Sequence, residues 1–379
     1  MKKAFGPWFW TAMVFVAAAV TAAWAAYLET DAGQKATESA PARVLPPDVI
    51  VRSRPDGAGV VRDVIRRVEV ADPVQVEGVA VFFLTLRDGW DSEVRTLDDA
   101  LRAGSLRIEE KAEASVPEVF VDNTGRRPVL LVSGEMLLGG KQNRIVRQDV
   151  LVPADSGRIA VPVYCGERDR WSGAVKGFSS APAAAEPDLR KGAALGRAQA
   201  EIWDGIDASM KRSGVESATR DYRALQESSE VKGLLDDVVS GCRRHMPRRT
   251  VGMVVAVHRR ILGADIFEDP DTFSALWEKL VRGYAVGTGL GARGTPRRIA
   301  KWDADRRDAR LFLDSALECS FDGESTPGAG RLLSISGGLT GTALVWGGHA
   351  VHVALFPHGD VHPVPVPMPG PIIRRQIEE

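Results

Sequence analysis

The chain has 379 residues, 44% of them hydrophobic, with 49 basic against 50 acidic side chains. That length allows one large or two ordinary domains with a real core, and a net charge of −1 leaves no electrostatic case for nucleic acid or for an anionic membrane surface. Three cysteines, Cys165, Cys242 and Cys319, exclude a disulfide scaffold and lack zinc-ligand spacing. Three buried thiols is the favoured reading, one bridge plus a free thiol the alternative.

Residues 1–26 come first. Lys2 and Lys3 precede an uncharged run from Trp8 to Ala26 that ends Ala23-Trp24-Ala25. About 19 residues at a 1.5 Å rise reach roughly 28 Å, one hydrocarbon core. The segment reads as a signal peptide or a single-pass anchor over residues 7–26. Either places the C-terminal domain outside, as an extracytoplasmic protein that is secreted, periplasmic or held to the membrane by that segment only. Residues 27–55, small, polar and proline-rich at their end, form a linker.

After Pro55-Asp56-Gly57 the pattern becomes strand-like, with alternation over 74–77 and a nearly all-apolar run over 79–86 that predicts a buried strand. Thr96 caps a predicted helix over 96–103, with Asp98 and Asp99 in its first turn. Strands follow at 116–121 and 128–132, then at 144–152 and 158–164. Residues 171–185 read as a loop. Residues 186–246 form a helical block: Leu195, Ala198, Ile202 and Ile206 recur at helical spacing over 190–209, and 220–226 and 230–244 continue it. A hairpin returns at 251–257, turning through His258 into Ile261-Leu262. Pro270 opens a long helix to about residue 286, with Phe273, Leu276, Trp277, Leu280 and Tyr284 on one face. Three strands fill 330–356, split by glycine pairs, and residues 357–379 are a proline-rich, extended tail. The sum is an α+β fold, a largely antiparallel sheet core with a helical insertion and one long helix in the C-terminal half, in one domain over 56–356.

One stretch stands apart as chemistry. Glu135 follows a strand, then come Gly139, Gly140, Lys141, Gln142, Asn143 and Arg144. Paired glycines let a backbone approach a ligand or another strand. Lys141 and Arg144 can neutralise an anion, and Gln142 and Asn143 both donate and accept. The run fails as a phosphate loop, because a second glycine intervenes and no hydroxyl follows the lysine. Its other reading is a bulged turn that satisfies backbone groups. A second group is Cys165, Glu167 and Trp171, where a thiol ends a strand beside a carboxylate but no histidine is local. Asp265, at a hairpin end, reads equally as a polar anchor or a turn residue. His349 and His352, three apart on a strand, fall on opposite faces, against a shared metal. Gly289, Gly291 and Gly294 match a dinucleotide fingerprint only as letters, since a helix and not a strand precedes them. No cofactor motif is present.

The runs TLDDALRAGSLRIEE (96–110), PVLLVSGEMLLGGKQNRIVRQDVLVPADS (128–156) and IAVPVYCGERDRW (159–171), with AQAEIWDGI, VGMVVAVHRRILGADIF and LWEKLVRGYAV further on, resemble the ARPP-1 domain family, also catalogued as DUF6569. The specific piece is GEMLLGGKQNR. The resemblance covers about residues 60–356. It implies, through gene neighbourhood, a link to ADP-ribose or nucleotide metabolism, and it carries no catalytic residues over. Three functional readings stand on the sequence. One is an exported or membrane-anchored domain binding a nucleotide-like or anionic small molecule at Glu135 and residues 139–144. The second is a hydrolase using Glu135, Cys165 or Glu167. The third is an interaction module of the cell envelope.

Overall fold

Val79–Thr85 is buried along nearly its whole length, and its side chains alternate between two cores: Val79, Val81 and Phe83 face one, Ala80, Phe82 and Leu84 the other. A strand that is apolar on both faces needs a covering layer on each, and that requirement organises the domain. The computed structural model describes residues 56–110, 117–170, 177–288 and 304–359.

In chain order the elements are helix α1 (Gly57–Arg67); strands β1 (Glu69–Val70), β2 (Val74–Val76), β3 (Val79–Thr85) and β4 (Arg95–Thr96); helix α2 (Leu97–Arg102); strands β5 (Leu106–Glu110), β6 (Glu118–Asn123), β7 (Val129–Leu131), β8 (Met136–Gly139), β9 (Arg144–Val146), β10 (Val150–Val152), β11 (Arg158–Cys165) and β12 (Phe178–Ser180). Helices α3 (Pro187–Ala194), α4 (Gln199–Ser213), α5 (Tyr222–Glu227) and α6 (Ser229–His245) follow, then the hairpin β13 (Thr250–Val257) and β14 (Arg260–Ile266). Helices α7 (Pro270–Gly287) and α8 (Arg306–Ser315) precede strands β15 (Ser320–Glu324), β16 (Arg331–Ser336), β17 (Leu339–Trp346) and β18 (His349–Pro357).

The main sheet has nine strands in the order β1-β3-β13-β14-β18-β17-β16-β15, with β2 also paired to β3. Every pairing in it is antiparallel. One face packs on α1 and α8 through Val61, Val64, Ile65, Phe312 and Leu313. The other packs on α7 through Phe273, Leu276, Trp277 and Leu280, and on α6 through Leu234, Leu235 and Val238. A six-stranded antiparallel sheet (β12-β8-β9-β11-β6-β5) and a three-stranded sheet (β10-β7-β4) enclose a third core. The fold is α+β with an antiparallel core, as the patterning predicts.

The departures have local causes. Residues 57–67 are helical, not strand. Asp56 caps α1 by accepting from the Ala58 amide at 3.3 Å, and Val61, Val64 and Ile65 carry the helical spacing. The stretch 190–209 is two helices, because Gly196 at φ +67° turns the chain between α3 and α4. The predicted strand over 144–152 is two strands in different sheets, β9 and β10. All three cysteines are buried and unpaired.

One expectation is corrected here. The sequence predicts an export or membrane-anchoring segment, with membrane contact through residues 7–26 and an extracytoplasmic domain. Among the described residues no helix is long and apolar enough to cross a membrane, and residues 7–26 lie outside them. The functional readings built on an exported or anchored domain therefore lose their support. The tail beyond residue 359, the glycine-rich run from Gly289 and Trp171 also lie outside the described residues.

Candidate functional site

The segment leading into α3 is threaded through the interior. Ala183, Ala184 and Ala185 are buried, and α7 comes so close to their backbone that a β-carbon on Gly283 would sit 2.9 Å from the carbonyl oxygens of both Ala184 and Ala185. The Ala184 amide donates to the Lys279 carbonyl at 2.9 Å, and the Ala185 amide to the Gly134 carbonyl at 2.7 Å. The next residue, Glu186, donates its amide to the Tyr222 hydroxyl at 3.0 Å and begins α3, with Pro187 in the first helical position, where no amide hydrogen is needed.

The Glu186 side chain is 1% exposed. It accepts a short hydrogen bond from the Ser209 hydroxyl of α4. The Arg212 guanidinium stands further off, 3.4 and 3.5 Å from its two oxygens, and makes its better bond to Ser209 at 2.8 Å. Burial raises the carboxyl to about 7, against the pull of Arg212 and Ser209 and with a further push from Asp188. Desolvation wins because Arg212, the cation that pulls against it, is distant and partly solvated. Glu186 is one of the residues lining a pocket of 340 Å³ between α3 and α4, with Asp188, Lys191, Arg197, Glu201 and Asp204 among the others. That volume is in the range of small-molecule sites.

Behind α3 lies a second buried polar group. Arg190 grips Asp265 of β14 with both ends of its guanidinium, at 3.0 and 2.5 Å, and its Nε donates to the Ser133 carbonyl at 3.0 Å. The guanidinium sits 5.8 Å from the Tyr284 ring centre and 5.4 Å from that of Phe356. Gly134, at φ +93°, leaves room for it: a β-carbon there would meet the Arg190 side chain at 2.6 Å. His352 of β18 bridges Asp265 at 2.9 Å and Asp149 at 2.6 Å through its two ring nitrogens, and Asp149 also accepts from the Ser133 amide at 2.8 Å. Burial alone would lower the imidazole, but the two carboxylates outweigh it and raise it to about 9. Burial likewise opposes ionisation of Asp265, and Arg190 and His352 overcome it, holding the carboxyl well below the usual range. His352 reaches this side of the sheet because β18 carries a bulge. Leu344 pairs with His352 and Val345 with Ala350, leaving Val351 over. Ala350 and Val353 therefore share one core while Val351 and the ring of Phe267 stacked on His352 belong to the other, and the strict alternation predicted for His349 and His352 fails.

The residues singled out from the sequence fall into three places. Glu135 bonds Lys279 of α7 at 2.7 Å and the Val132 amide at 2.8 Å, and Lys279 also reaches Asp98 and Ser180, both at 2.8 Å. Residues 139–144, Cys165 and Glu167 do come together, at the turn joining β8 to β9 and at the end of β11. The Gly139 amide donates to Asn143 at 3.0 Å, the Gly140 carbonyl accepts from Arg170 at 3.0 Å, and the Lys141 amide donates to Glu110 at 2.9 Å. Gln142 donates to the Arg168 carbonyl at 3.3 Å, Asn143 to Asp221 at 3.0 Å, and Arg144 to Glu110 at 3.1 Å and to the Cys165 sulfur at 2.6 Å. Glu167 pairs with Arg170 at 2.7 Å. Burial pushes the Cys165 thiol up, against Arg144, so the thiolate that nucleophilic chemistry needs is disfavoured. Asp265 is the third place, in the Arg190 group. Glu186, Ser209, Arg212, Asp149 and Arg190 carry no spacing signal. The cue in the sequence is the Glu186-Pro187 step at a helix start.

No curated protein and no solved structure matches the chain. The ARG and Rhodanese-Phosphatase-superfamily-associated Protein domain, ARPP-1, matches residues 67–356, a span that takes in all three polar groups and both helices of the pocket. The chain therefore belongs to the ARPP-1 domain family.

Proposed function

We propose that the pocket between α3 and α4 is a general acid–base site in which Glu186 exchanges a proton with a small polar substrate. The observation that carries this reading is a buried carboxyl on a residue lining a 340 Å³ pocket, bonded among the described residues to Ser209 and to a loosely placed Arg212. A proton-transfer group works best when its titration lies near the operating pH, and burial brings Glu186 to about 7. Groups perturbed in this way concentrate at functional sites. The other lining side chains are mixed in sign: Asp188, Glu201 and Asp204 against Lys191, Arg197 and Arg212. Such a wall favours a substrate that both donates and accepts hydrogen bonds over a purely apolar one.

The test uses a water-soluble carbodiimide with glycine methyl ester, which couples to protonated carboxylic acids. At pH 7, peptide mapping is expected to place the label on Glu186 ahead of the surface carboxylates, with labelling falling off through about pH 7. Glu186 unlabelled while exposed acids react at lower pH would refute an accessible, protonated carboxyl and with it this function.

A further inference from the structure

We propose that Arg190 is the positioning residue for Glu186, and that Asp265, His352 and Asp149 act on the pocket by holding Arg190. This inference rests on the acid–base reading of Glu186. The eight residues of α3 are too few to hold a helix by its own hydrogen bonds, so its position comes from tertiary contacts. Its first turn is closed by the Arg190 amide, which donates to the Glu186 carbonyl at 3.1 Å. The side chain of that same Arg190 is bidentate to Asp265 and bonded to the Ser133 carbonyl. One residue therefore joins the backbone of Glu186 to β14 and to the turn before β8.

Asp265 in turn is fixed by His352, and His352 by Asp149. The group contains two carboxylates, one imidazolium and one guanidinium, and alternates in sign along its length. Alternation lets four buried charges persist where any one alone would be expelled. The next residue, Lys191, donates a short hydrogen bond to the Gly359 carbonyl, so α3 is tied at adjacent positions to β14 and to the segment just past β18. The groups that face the Glu186 carboxyl directly are Ser209 and Arg212 of α4, Asp188 of α3 and Tyr222 of α5. None belongs to the Arg190 group, so any influence of His352 or Asp149 on Glu186 must pass through the placement of α3. If α3 shifts, the carboxyl gains water and the burial that holds its titration up is relieved.

The experiment is a pH titration of the full chain labelled with carbon-13 at the glutamate carboxyl, in which the Glu186 resonance is identified by its loss in Glu186→Gln. Arg190→Lys keeps the charge and loses the planar fork, and Asp149→Asn keeps the shape and loses the charge. Both are expected to lower the Glu186 midpoint by about one pH unit or more while near-ultraviolet circular dichroism stays native. Folded variants whose Glu186 still titrates as in the wild type overturn the inference. If neither variant folds, hydrogen exchange of the wild type decides. As His352 loses its proton through about pH 9, amides of α3 should lose protection relative to those of α6, corrected for the intrinsic rise of exchange with pH. Unchanged relative protection overturns it. A wild-type Glu186 that titrates as an ordinary glutamate instead defeats the acid–base reading, and the exchange measurement still tests the link to α3.

Discussion

Asp265 and Glu186 are both buried carboxylates with an arginine beside them, and they end in opposite states. Asp265 is held well below the ordinary carboxylate range, Glu186 is raised to about 7. Burial pushes both in the same direction, so the partner decides. Arg190 meets Asp265 with two nitrogens at 2.5 and 3.0 Å and is itself 2% exposed, whereas Arg212 approaches Glu186 through one nitrogen at 3.4 Å and is 24% exposed. A bidentate pair in a low-dielectric setting outweighs desolvation, and a single long contact shared with solvent does not. A carboxylate beside an arginine thus gives a permanent ion pair in one place and a titrating group in the other, with Arg190 one turn of α3 from Glu186.

The comparison breaks most visibly under truncation of the two arginines. Arg190→Ala strands the Asp265 charge in the interior and is expected to cost about 3–5 kcal/mol in chemical unfolding, while Arg212→Ala should cost about 1 kcal/mol or less. Equal losses would mean that the two pairs do not differ as their geometry states. A second effect is the alkaline limb of stability. His352 is raised from 6.5 to about 9 in the fold, so its contribution is complete below 6.5 and is lost as pH rises through about 9. At roughly 1.4 kcal/mol per unit that limb amounts to about 3 kcal/mol. Unfolding curves between pH 6 and 10 should show it, and His352→Gln should flatten it.

Glu186 has the opposite sign for an acid. Its unfolded form ionises from 4.5 upward while the folded form waits until about 7, so stability falls across that window and then levels. Glu186→Gln should remove the fall and leave the protein more stable than wild type at pH 8 by roughly 1–3 kcal/mol, at the expense of any proton transfer. A variant less stable at pH 8 would place Glu186 in the same class as Asp265. The smallest expected effect is that of Ser209→Ala. Removing the hydroxyl that now helps the anion should move the Glu186 midpoint further up, with a stability change of about 1 kcal/mol. A downward move would assign the pull to Arg212 alone.

Much of the fold was legible because its signals are local. Thr96 caps α2 as predicted, accepting from the Asp99 amide at 3.2 Å. The β13–β14 hairpin turns between Val257 and Arg260, and α7 starts at Pro270 behind an Asp269 cap. Helix α1 was hidden by Gly57 and Gly59 directly after a Pro-Asp step, which reads as a turn although Val61, Val64 and Ile65 already carry the period of a helix. The polar centres were hidden for another reason. Asp149, Arg190, Asp265 and His352 come from four distant segments, and no spacing rule joins them. The run at 139–144 stands out in the sequence because its polar residues are consecutive. In the fold those residues bond chiefly to one another and to their neighbours, while the pocket is lined by Glu186, a single acid after a stretch of alanines.

The bulge at Val351 gives β18 one residue more than its partner β17 requires. That surplus sets which side chains lie on which side of the sheet for the rest of the strand. If β18 paired without the bulge, Val351 would stand opposite Leu344 and His352 opposite Ala343, which would turn the imidazole toward α1 and α8 and leave Asp149 and Asp265 without the cation between them. No substitution at the pocket is needed for such a change to reach it. In this domain the length of one strand, counted in whole residues, is as much a part of the chemistry as the identity of any side chain.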